Sequence, residues 1–273
     1  MNYRHIYHAG NFADVFKHII LMRLVEYLKQ KDKPFFMLDT HAGIGLYDLD
    51  SDQAQKTGEA LDGICRLKDI SNAHPAIRSY LDLTAEFDGL YPGSPKIMQR
   101  LMREGDRLVV NELHPEDRET LSLNMGRDHQ TRIEGMDGYL ALKALLPPSE
   151  KRGLVLVDPP FEVTDEFERM VRGLEKAYER WATGMYAFWY PIKDKADVNA
   201  YHKALANMGI GKIAAADLYL RKPDNREVLN GCGMVLVNPP WTLEEELHTI
   251  MNGLVPALTG KSGYYRWTRI AGE

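Results

Sequence analysis

The order of apolar segments along the chain predicts an α/β protein with a doubly wound, mainly parallel sheet of seven strands. Short aliphatic runs alternate with longer segments of helical periodicity, a pattern typical of parallel strands joined by crossover helices. Three of the runs end in an acidic residue, at Asp39, Glu112 and Asp158. Because ligands bind at the carboxyl edge of such sheets, these acids predict a ligand site along that edge.

The run from Leu154 to Val157 predicts a strand buried on both faces, and it stops at Asp158-Pro159-Pro160-Phe161. Proline has no amide hydrogen and a fixed φ, so the turn holds Asp158 at the strand end. The Asp158 carboxylate and the Pro159 carbonyl can each accept an N–H bond from the exocyclic amine of adenine, and Phe161 offers a face for base stacking. A lone Asp-Pro-Pro is equally compatible with a plain strand end; the aromatic fourth residue favours function.

Residues 1–33 form an amino-terminal segment and helix with six Lys/Arg against three Asp/Glu. Tyr3, Arg4 and His5 interleave basic and aromatic side chains, which suits contact with RNA phosphates and bases, although a frayed polar terminus fits the same composition. The following helix has an apolar stripe at helical spacing. Asp14, Lys17 and His18 share another face of it.

Residues 35–39 predict the first strand, and the turn that follows it contains Gly43 and Gly45, which lets a ligand approach the backbone. Between residue 48 and residue 91 the sequence shows no pattern of a second strand. Instead we predict an inserted helical subdomain, with one helix through Ala54 and Leu67 and another from Pro75. The main domain then comprises residues 1–47 and 92–273.

The second half of the main domain contains further candidate site residues. Ser94 is expected to cap a helix with Pro95 at its first position. Glu112 ends the second strand, where an acid accepts ribose hydroxyl hydrogens in nucleoside-binding sheets. A turn at Asp137-Gly138 follows the third strand, and the seventh strand ends in Asn238-Pro239-Pro240-Trp241, which we interpret as a structural copy of the Asp158 turn.

Composition indicates the class of protein and its cellular compartment. Of 273 residues, 44% are hydrophobic and 27% charged, which is ordinary for a soluble globular protein. No apolar run approaches the ~18 residues of a membrane span, and the amino terminus lacks the features of a signal peptide, so we expect a cytoplasmic protein. Cys65 and Cys232 suggest neither a disulfide framework nor a zinc site. A net charge of −5 argues against non-specific coating of nucleic acid but permits a local basic groove.

The motifs together resemble the RlmJ family of bacterial 23S ribosomal RNA adenine-N6 methyltransferases. The resemblance covers nearly the whole chain, in order, and is carried by Tyr3-Arg4-His5, His8-Ala9-Gly10-Asn11, Asp14, Lys17-His18, Asp39-Thr40-His41-Ala42-Gly43, Tyr91-Pro92-Gly93-Ser94-Pro95, Glu112-Leu113-His114-Pro115, Asp137-Gly138 and Asp158-Pro159-Pro160-Phe161-Glu162.

The resemblance implies a class I S-adenosylmethionine-dependent methyltransferase fold, Rossmann-like, with a small helical insertion. It makes Asp158 the catalytic acid, in a turn with Pro159, Pro160 and Phe161. The residues expected to contact the cofactor S-adenosylmethionine are His18, His41, Gly43, Ser94, Glu112, Asp137, Gly138 and Asp158. Those expected to contact RNA are Tyr3, Arg4, His5 and Lys17. Phe161 stands where tyrosine is usual, so stacking is kept and a hydroxyl hydrogen bond is lost.

The expected partner is 23S ribosomal RNA, free or partly assembled, bound by a monomer without metal or membrane contact. Three alternatives remain open on the sequence. A protein glutamine-amide N-methyltransferase uses a similar Pro-Pro-aromatic turn, and a nicotinamide dehydrogenase shares the sheet, although the glycine fingerprint is incomplete. A non-catalytic RNA-binding module is the third, and the intact Asp158 motif speaks against it.

Overall fold

The computed structural model describes residues 4–68, 70, 73–260 and 262–272 of the 273-residue chain. Tyr3, one of the four residues expected to contact RNA, lies outside the described residues. No helix in the described part of the chain is long and apolar enough to cross a membrane.

Strands and helices alternate between residues 91 and 219, as the periodicity predicts, whereas elsewhere two pairs of strands follow one another without a helix. The strands are β1 (Phe36–Asp39), β2 (Leu46–Tyr47), β3 (Tyr91–Pro92), β4 (Arg107–Asn111), β5 (Thr131–Glu134), β6 (Gly153–Val157), β7 (Met185–Ile192), β8 (Ile213–Tyr219), β9 (Gly231–Val237) and β10 (Tyr264–Ala271). The helices are α1 (Phe12–Lys29), α2 (Asp52–Thr57), α3 (Pro75–Ala85), α4 (Ser94–Leu101), α5 (Pro115–Met125), α6 (Gly138–Ala144), α7 (Glu166–Arg180), α8 (Lys195–Ala206) and α9 (Leu243–Thr259).

Eight strands form one sheet in the order β10-β8-β9-β7-β6-β1-β4-β5, and β2 pairs with β3 separately. The neighbours from β7 to β5 are parallel, whereas β9 runs antiparallel to both β7 and β8, and β10 is antiparallel to β8. The predicted α/β class with a mainly parallel sheet is confirmed. The predicted strand count of seven is wrong because β10, whose residues are only partly buried, carries no continuous apolar run.

The sheet is covered by helices on both faces, which explains its fully buried central strands. Met37 and Leu154 belong to an apolar cluster shared with α1, α4 and α9, while Leu38 and Val155 belong to the cluster on the other face with α6, α7 and α8. Helix α1 is buried almost all round. Its polar residues Asp14, Lys17 and His18 are therefore inside the molecule.

The predicted helix through Ala54 and Leu67 is wrong. Helix α2 ends at Gly58, which has a left-handed φ of 63°, and two short 3-10 turns follow, Glu59–Asp62 and Ile64–Leu67. Glycine adopts this conformation without a steric penalty, so the chain turns there instead of continuing the helix. Helix α3 begins at Pro75 as predicted. The boundaries 48–91 of an inserted subdomain stay a prediction.

Strand direction determines which loops meet. Strands β1, β4, β5, β6 and β7 are parallel, and β8 runs in the same direction because β9 lies antiparallel between it and β7. The segments after all six strands therefore lie along one edge, called here the carboxyl edge. Strand β9 runs the other way, so its final residue, Val237, pairs with Tyr186 at the start of β7, at the opposite edge.

Candidate active site

A cavity of about 490 Å³ opens at the carboxyl edge, where the order of strands reverses on either side of β1. It brings together every residue predicted for catalysis or cofactor binding. These residues are His18, His41, Gly43, Ser94, Glu112, Asp137, Gly138, Asp158, Pro159, Pro160 and Phe161. Of the residues predicted to contact RNA, His5 and Lys17 line this cavity, whereas Arg4 lines a neighbouring cavity of about 390 Å³.

Lys17 connects helix α1 to the end of β6. Its ammonium group lies 2.5 Å from Asp158 Oδ2 and 2.8 Å from Asp14 Oδ1. Burial alone would lower the pKa of Lys17, but the two carboxylates outweigh it and hold that pKa well above its usual value. Lys17 is therefore a fixed buried cation.

Asp14 anchors the amino-terminal segment to the same cluster. Its Oδ2 accepts hydrogen bonds from the Gly10 amide and lies 2.9 Å from His5 Nε2. Burial alone would raise the pKa of Asp14, yet the charges of His5 and Lys17 keep that pKa well below its ordinary value. The cluster joins the amino-terminal segment to Asp158 through buried charges.

His18 is a neutral ring inside the cavity wall. Its Nδ1 lies 3.0 Å from the Tyr91 hydroxyl, and burial lowers its pKa to about 3. Its Nε2 has no hydrogen-bond partner among the described residues and lies 3.9 Å from Asp14 Oδ1. A buried ring nitrogen without a partner is an available contact for a polar ligand.

Ser94 and Asp39 form a second buried pair beside the cavity. The Ser94 hydroxyl donates to Asp39 Oδ2 at 2.6 Å, and burial raises the pKa of Asp39 to about 6. The predicted N-cap role of Ser94 is wrong, since Gly93 is the N-cap of α4. The helix therefore begins one residue earlier than predicted. The Ser94 hydroxyl donates to the distant Asp39 and does not accept from the amides of the first turn.

Glu112 holds the glycine turn. Its Oε2 accepts from the Gly43 amide at 2.9 Å and its Oε1 from the His114 amide at 2.8 Å. Burial raises the pKa of this carboxyl. Gly43 has a φ of 60°, and an added Cβ would lie 2.2 Å from the Tyr47 hydroxyl, so only glycine fits. Each Glu112 oxygen keeps a lone pair for a further donor.

His41, which follows β1, and Gly138, at the start of α6, are in contact in the cavity wall. The His41 ring packs so tightly on Gly138 that an added Cβ would lie 2.5 Å from its Cε1 and Nε2. Burial lowers the pKa of His41 to about 4. Asp137 caps α6 through the amides of Tyr139 and Leu140, and its other oxygen accepts from Arg169 at 3.1 Å.

Phe161 lies in the turn after β6 with a φ of 51°, a backbone conformation that residues other than glycine rarely adopt. Its ring makes edge-to-face contacts with Phe167 at 5.2 Å and with Trp189 at 5.9 Å between centroids. A strained backbone held by packing on two sides is typical of functional sites, where it fixes a side chain in advance of binding.

The second Pro-Pro turn has a different environment. Because β9 is reversed, Asn238 lies at the opposite edge of the sheet, and its side-chain amide donates to the carbonyls of Ala182 and Gly184, each at 2.8 Å. These bonds hold the loop after α7. The placement agrees with the interpretation of this turn as structural.

Several residues that line the cavity were not singled out from the sequence. Trp189 belongs to β7 and Lys193 follows it, Arg169 belongs to α7, and Glu59 lies in the 3-10 turn after α2. Glu59 Oε1 lies 2.8 Å from His8 Nδ1, and its Oε2 accepts from Asn11 at 2.9 Å. No local motif marks these residues; the polar end of β7 was the available signal for Lys193.

A family model described as ribosomal RNA large subunit methyltransferase D, RlmJ, matches residues 32–270. The chain belongs to the RlmJ family. It is 40% identical over 269 residues to ribosomal RNA large subunit methyltransferase J of Escherichia coli (strain K12), covering 95% of this chain and 96% of the relative. It is also 40% identical to the Haemophilus influenzae protein of the same name, covering 98% of this chain and 97% of that relative.

A crystal structure of a Legionella pneumophila protein has the same fold, with a TM-score of 0.88 at 34% identity over 96% of this chain and 98% of that chain. The predicted resemblance to the RlmJ family is confirmed. The chain is accordingly a ribosomal RNA methyltransferase with the α/β fold of class I S-adenosylmethionine-dependent methyltransferases. The dehydrogenase and the inactive RNA-binding module are excluded as alternatives.

The cavity residues fit S-adenosylmethionine. The carboxylates of Glu112, Asp137 and Asp158 line a space whose volume is within the range of ligand pockets and suit a cofactor that carries a positive sulfonium. His18 Nε2 offers an unused polar contact inside this space.

Proposed function

We propose that this chain transfers a methyl group from S-adenosylmethionine to the N6 amine of an adenine in 23S ribosomal RNA. The observation that carries the proposal is the placement of Asp158. Its carboxylate lies in the cavity at the end of β6, followed by two prolines and an aromatic ring. This arrangement suits a flat base whose exocyclic amine needs hydrogen-bond acceptors.

Lys17 orients the Asp158 carboxylate. Because Oδ2 is held by the Lys17 ammonium group, Oδ1 is the oxygen that remains for an amine hydrogen. The Pro159 carbonyl can accept the second hydrogen. Two acceptors would draw the amine lone pair out of conjugation with the ring and direct it at the methyl donor. The base reaches this position only when it leaves its stack, with Phe161 as the surface that receives it.

The bound cofactor supplies an activated methyl group on a positive sulfur. When the amine nitrogen takes the methyl group, the sulfur of the cofactor would keep the electron pair of its bond to that carbon. The amine then carries an excess proton, which passes to Asp158 or to water. Since this proton becomes acidic only after transfer, Asp158 can act late and need not be a strong base. The chain contributes mainly by holding the reacting atoms in line.

For the cofactor we assign the ribose hydroxyls to Glu112, whose oxygens keep lone pairs beyond those used by Gly43 and His114. His18, His41, Gly43, Ser94, Asp137, Gly138 and Asp158 are proposed as the remaining contacts. We also propose that residues 48–91 act as a subdomain and that free or partly assembled RNA is the substrate of a monomer.

The test is transfer of a tritiated methyl group from S-adenosylmethionine to 23S ribosomal RNA taken from a strain that lacks this protein. Nucleoside digestion and mass spectrometry should then reveal N6-methyladenosine. A protein carrying an accessible glutamine motif serves as the competing acceptor. Label in glutamine, or in a nucleoside other than N6-methyladenosine, would overturn the proposal.

A further inference from the structure

Three exposed cations lie at the carboxyl edge on the side of the Asp158 turn: Lys193, Arg221 and Lys222. Lys193 follows β7 and lines the cavity, while Arg221 and Lys222 begin the loop 220–230 between β8 and β9. The sheet register places this loop beside the end of β7, because Gly231 pairs with both Tyr219 and Ile192.

The loop is fixed rather than loosely attached. Asn230 is fully buried, and its amide donates to the Ile192 carbonyl at 2.8 Å. Its side chain donates to the carbonyls of Lys193 at 2.9 Å and Asn225 at 2.6 Å. Arg226 forms an ion pair with Asp194 in the turn after β7. These contacts join loop 220–230 and the start of α8 into one platform.

The cations predicted for RNA contact are already paired with acids. Arg4 contacts Asp117 Oδ1 at 2.6 Å and also pairs with Glu116, while Lys17 is buried between two carboxylates. By contrast, no ion pair within the described part of the chain involves Lys193, Arg221 or Lys222. Their charges are available to the phosphates of a bound strand.

Acids line the cavity on both sides of β1, since Glu112 and Asp137 follow β4 and β5 and Asp158 follows β6. The end of β7 adds an aromatic ring, Trp189, and the exposed cation Lys193 to this wall. Two exposed acids, Asp224 and Glu227, share the loop with the cations and limit how close phosphates come to its tip.

We propose that Lys193, Arg221 and Lys222 form the surface that binds the phosphates of ribosomal RNA next to the methylated nucleotide. The inference rests on the proposed function and adds the part of the chain that holds the strand while the base enters the cavity. None of the residues proposed to contact the cofactor belongs to this surface. Removing its charge therefore affects RNA binding and leaves the chemistry at Asp158 intact.

The test compares wild type, the triple variant K193A/R221A/K222A and the control triple K31A/K33A/K143A. The control residues are exposed cations away from the carboxyl edge, before β1 and in the last turn of α6. Affinity for an unmodified 23S ribosomal RNA fragment is measured by fluorescence anisotropy between 50 and 200 mM salt. Over this range wild type and control should lose about 20- to 40-fold more affinity than the first triple variant, since three phosphate contacts are lost.

The KM for RNA should rise in K193A/R221A/K222A, while the melting temperature stays unchanged. The double variant R221A/K222A, which leaves the cavity wall intact, should also raise the KM for RNA and should keep the cofactor Kd and the single-turnover rate at saturating RNA. A wild-type salt dependence and KM in the triple variant would overturn the inference. A fall in single-turnover rate at saturating RNA with unchanged KM would also overturn it. If wild type binds RNA with steep salt dependence but forms no N6-methyladenosine, the proposed function fails and the surface assignment stands.

Discussion

At the scale of single residues, the central feature is the row of contacting polar side chains from half-buried His5 through buried Asp14 and Lys17 to half-buried Asp158. Each carboxylate accepts from at least one cation, so burial does not leave an unpaired charge. One oxygen of Asp158 is used by Lys17, and the residue lines the cavity. The roles proposed for Asp158 and for the cofactor-side acid Glu112 can each be tested with a single substitution.

Replacing Asp158 by alanine should lower methyl transfer by about two to four orders of magnitude, the usual range for a positioned proton acceptor. D158N should be less severe, because the amide oxygen still accepts one hydrogen bond. The fold should survive, since Lys17 keeps Asp14 as its partner. The measurement is single-turnover transfer at saturating cofactor, with melting temperatures alongside.

The matched control is N238A in the second Pro-Pro turn, which should keep turnover within a fewfold. Its loss of the bonds to Ala182 and Gly184 should appear as a lower melting temperature instead. An inactive N238A beside an active D158A, both folded, would mean that the catalytic turn is assigned wrongly.

Replacing Glu112 by alanine should weaken S-adenosylmethionine binding about ten- to a hundredfold, because a buried carboxylate bond to a hydroxyl contributes roughly 1.5–3 kcal/mol. Calorimetric titration with the cofactor measures this change. E119A is the control, since Glu119 is an exposed acid on the nearby helix α5. An unchanged Kd in E112A would remove the assignment of the ribose hydroxyls to this residue.

At the scale of elements, the two 3-10 turns after α2 fix the amino-terminal segment. The Gly10 carbonyl accepts from the Ile64 amide at 2.8 Å, and Glu59 contacts both His8 and Asn11. Gly63 lies directly against this contact, where an added Cβ would be 2.0 Å from the Gly10 carbonyl oxygen. The close approach of two backbone segments requires glycine at this position.

G63A should therefore destabilise the protein by roughly 1–3 kcal/mol and reduce RNA methylation, because the clash is with backbone that cannot rotate away. Urea unfolding and methyl transfer measure the two effects. G253A is the control: its added Cβ would meet only Ile77 Cδ1 at 3.7 Å, and alanine favours the helix α9. Equal stability of G63A and wild type would contradict this account of the contact.

At the scale of the whole molecule, burial makes stability depend on pH. Burial lowers the pKa of His18 to about 3 and those of His41 and His202 to about 4. Below pH 6.5 the unfolded chain takes up protons on these rings and the folded chain does not, so the stability present above pH 6.5 is lost as pH falls. Burial raises the pKa of Asp39 and Asp217 to about 6, which opposes part of this loss.

His202 lies outside the site, 2.9 Å from the Tyr190 hydroxyl, and allows a clean measurement. Between pH 7 and pH 5 wild type should lose roughly 2 kcal/mol more unfolding free energy than H202Q, which cannot titrate. H129Q, at an exposed histidine, should follow wild type. Parallel stability profiles for H202Q and wild type in urea titrations would show that His202 is protonated in the folded state.

The sequence by itself determined the α/β class, seven of the eight strands in the large sheet and the polar residues at the ends of β1, β4 and β6. These features depend on local physics: apolar periodicity defines buried strands, and prolines or glycines define where they stop. The edge strand β10 was missed because its residues are partly buried and its pattern is mixed. The glycines at 58 and 63 do not stand out as helix breaks in the sequence, because apolar residues at helical spacing continue past them from Ala54 to Leu67.

Only the tertiary structure decided which of these features act together. Lys17 and Asp158 are 141 positions apart, and their contact arises because α1 packs across the end of β6. The reversal of β9 separates Asn238 from Asp158, although the two turns look alike in sequence. The same reversal brings loop 220–230 to the carboxyl edge. Strand direction depends on the pairing of the whole sheet, which no local pattern encodes.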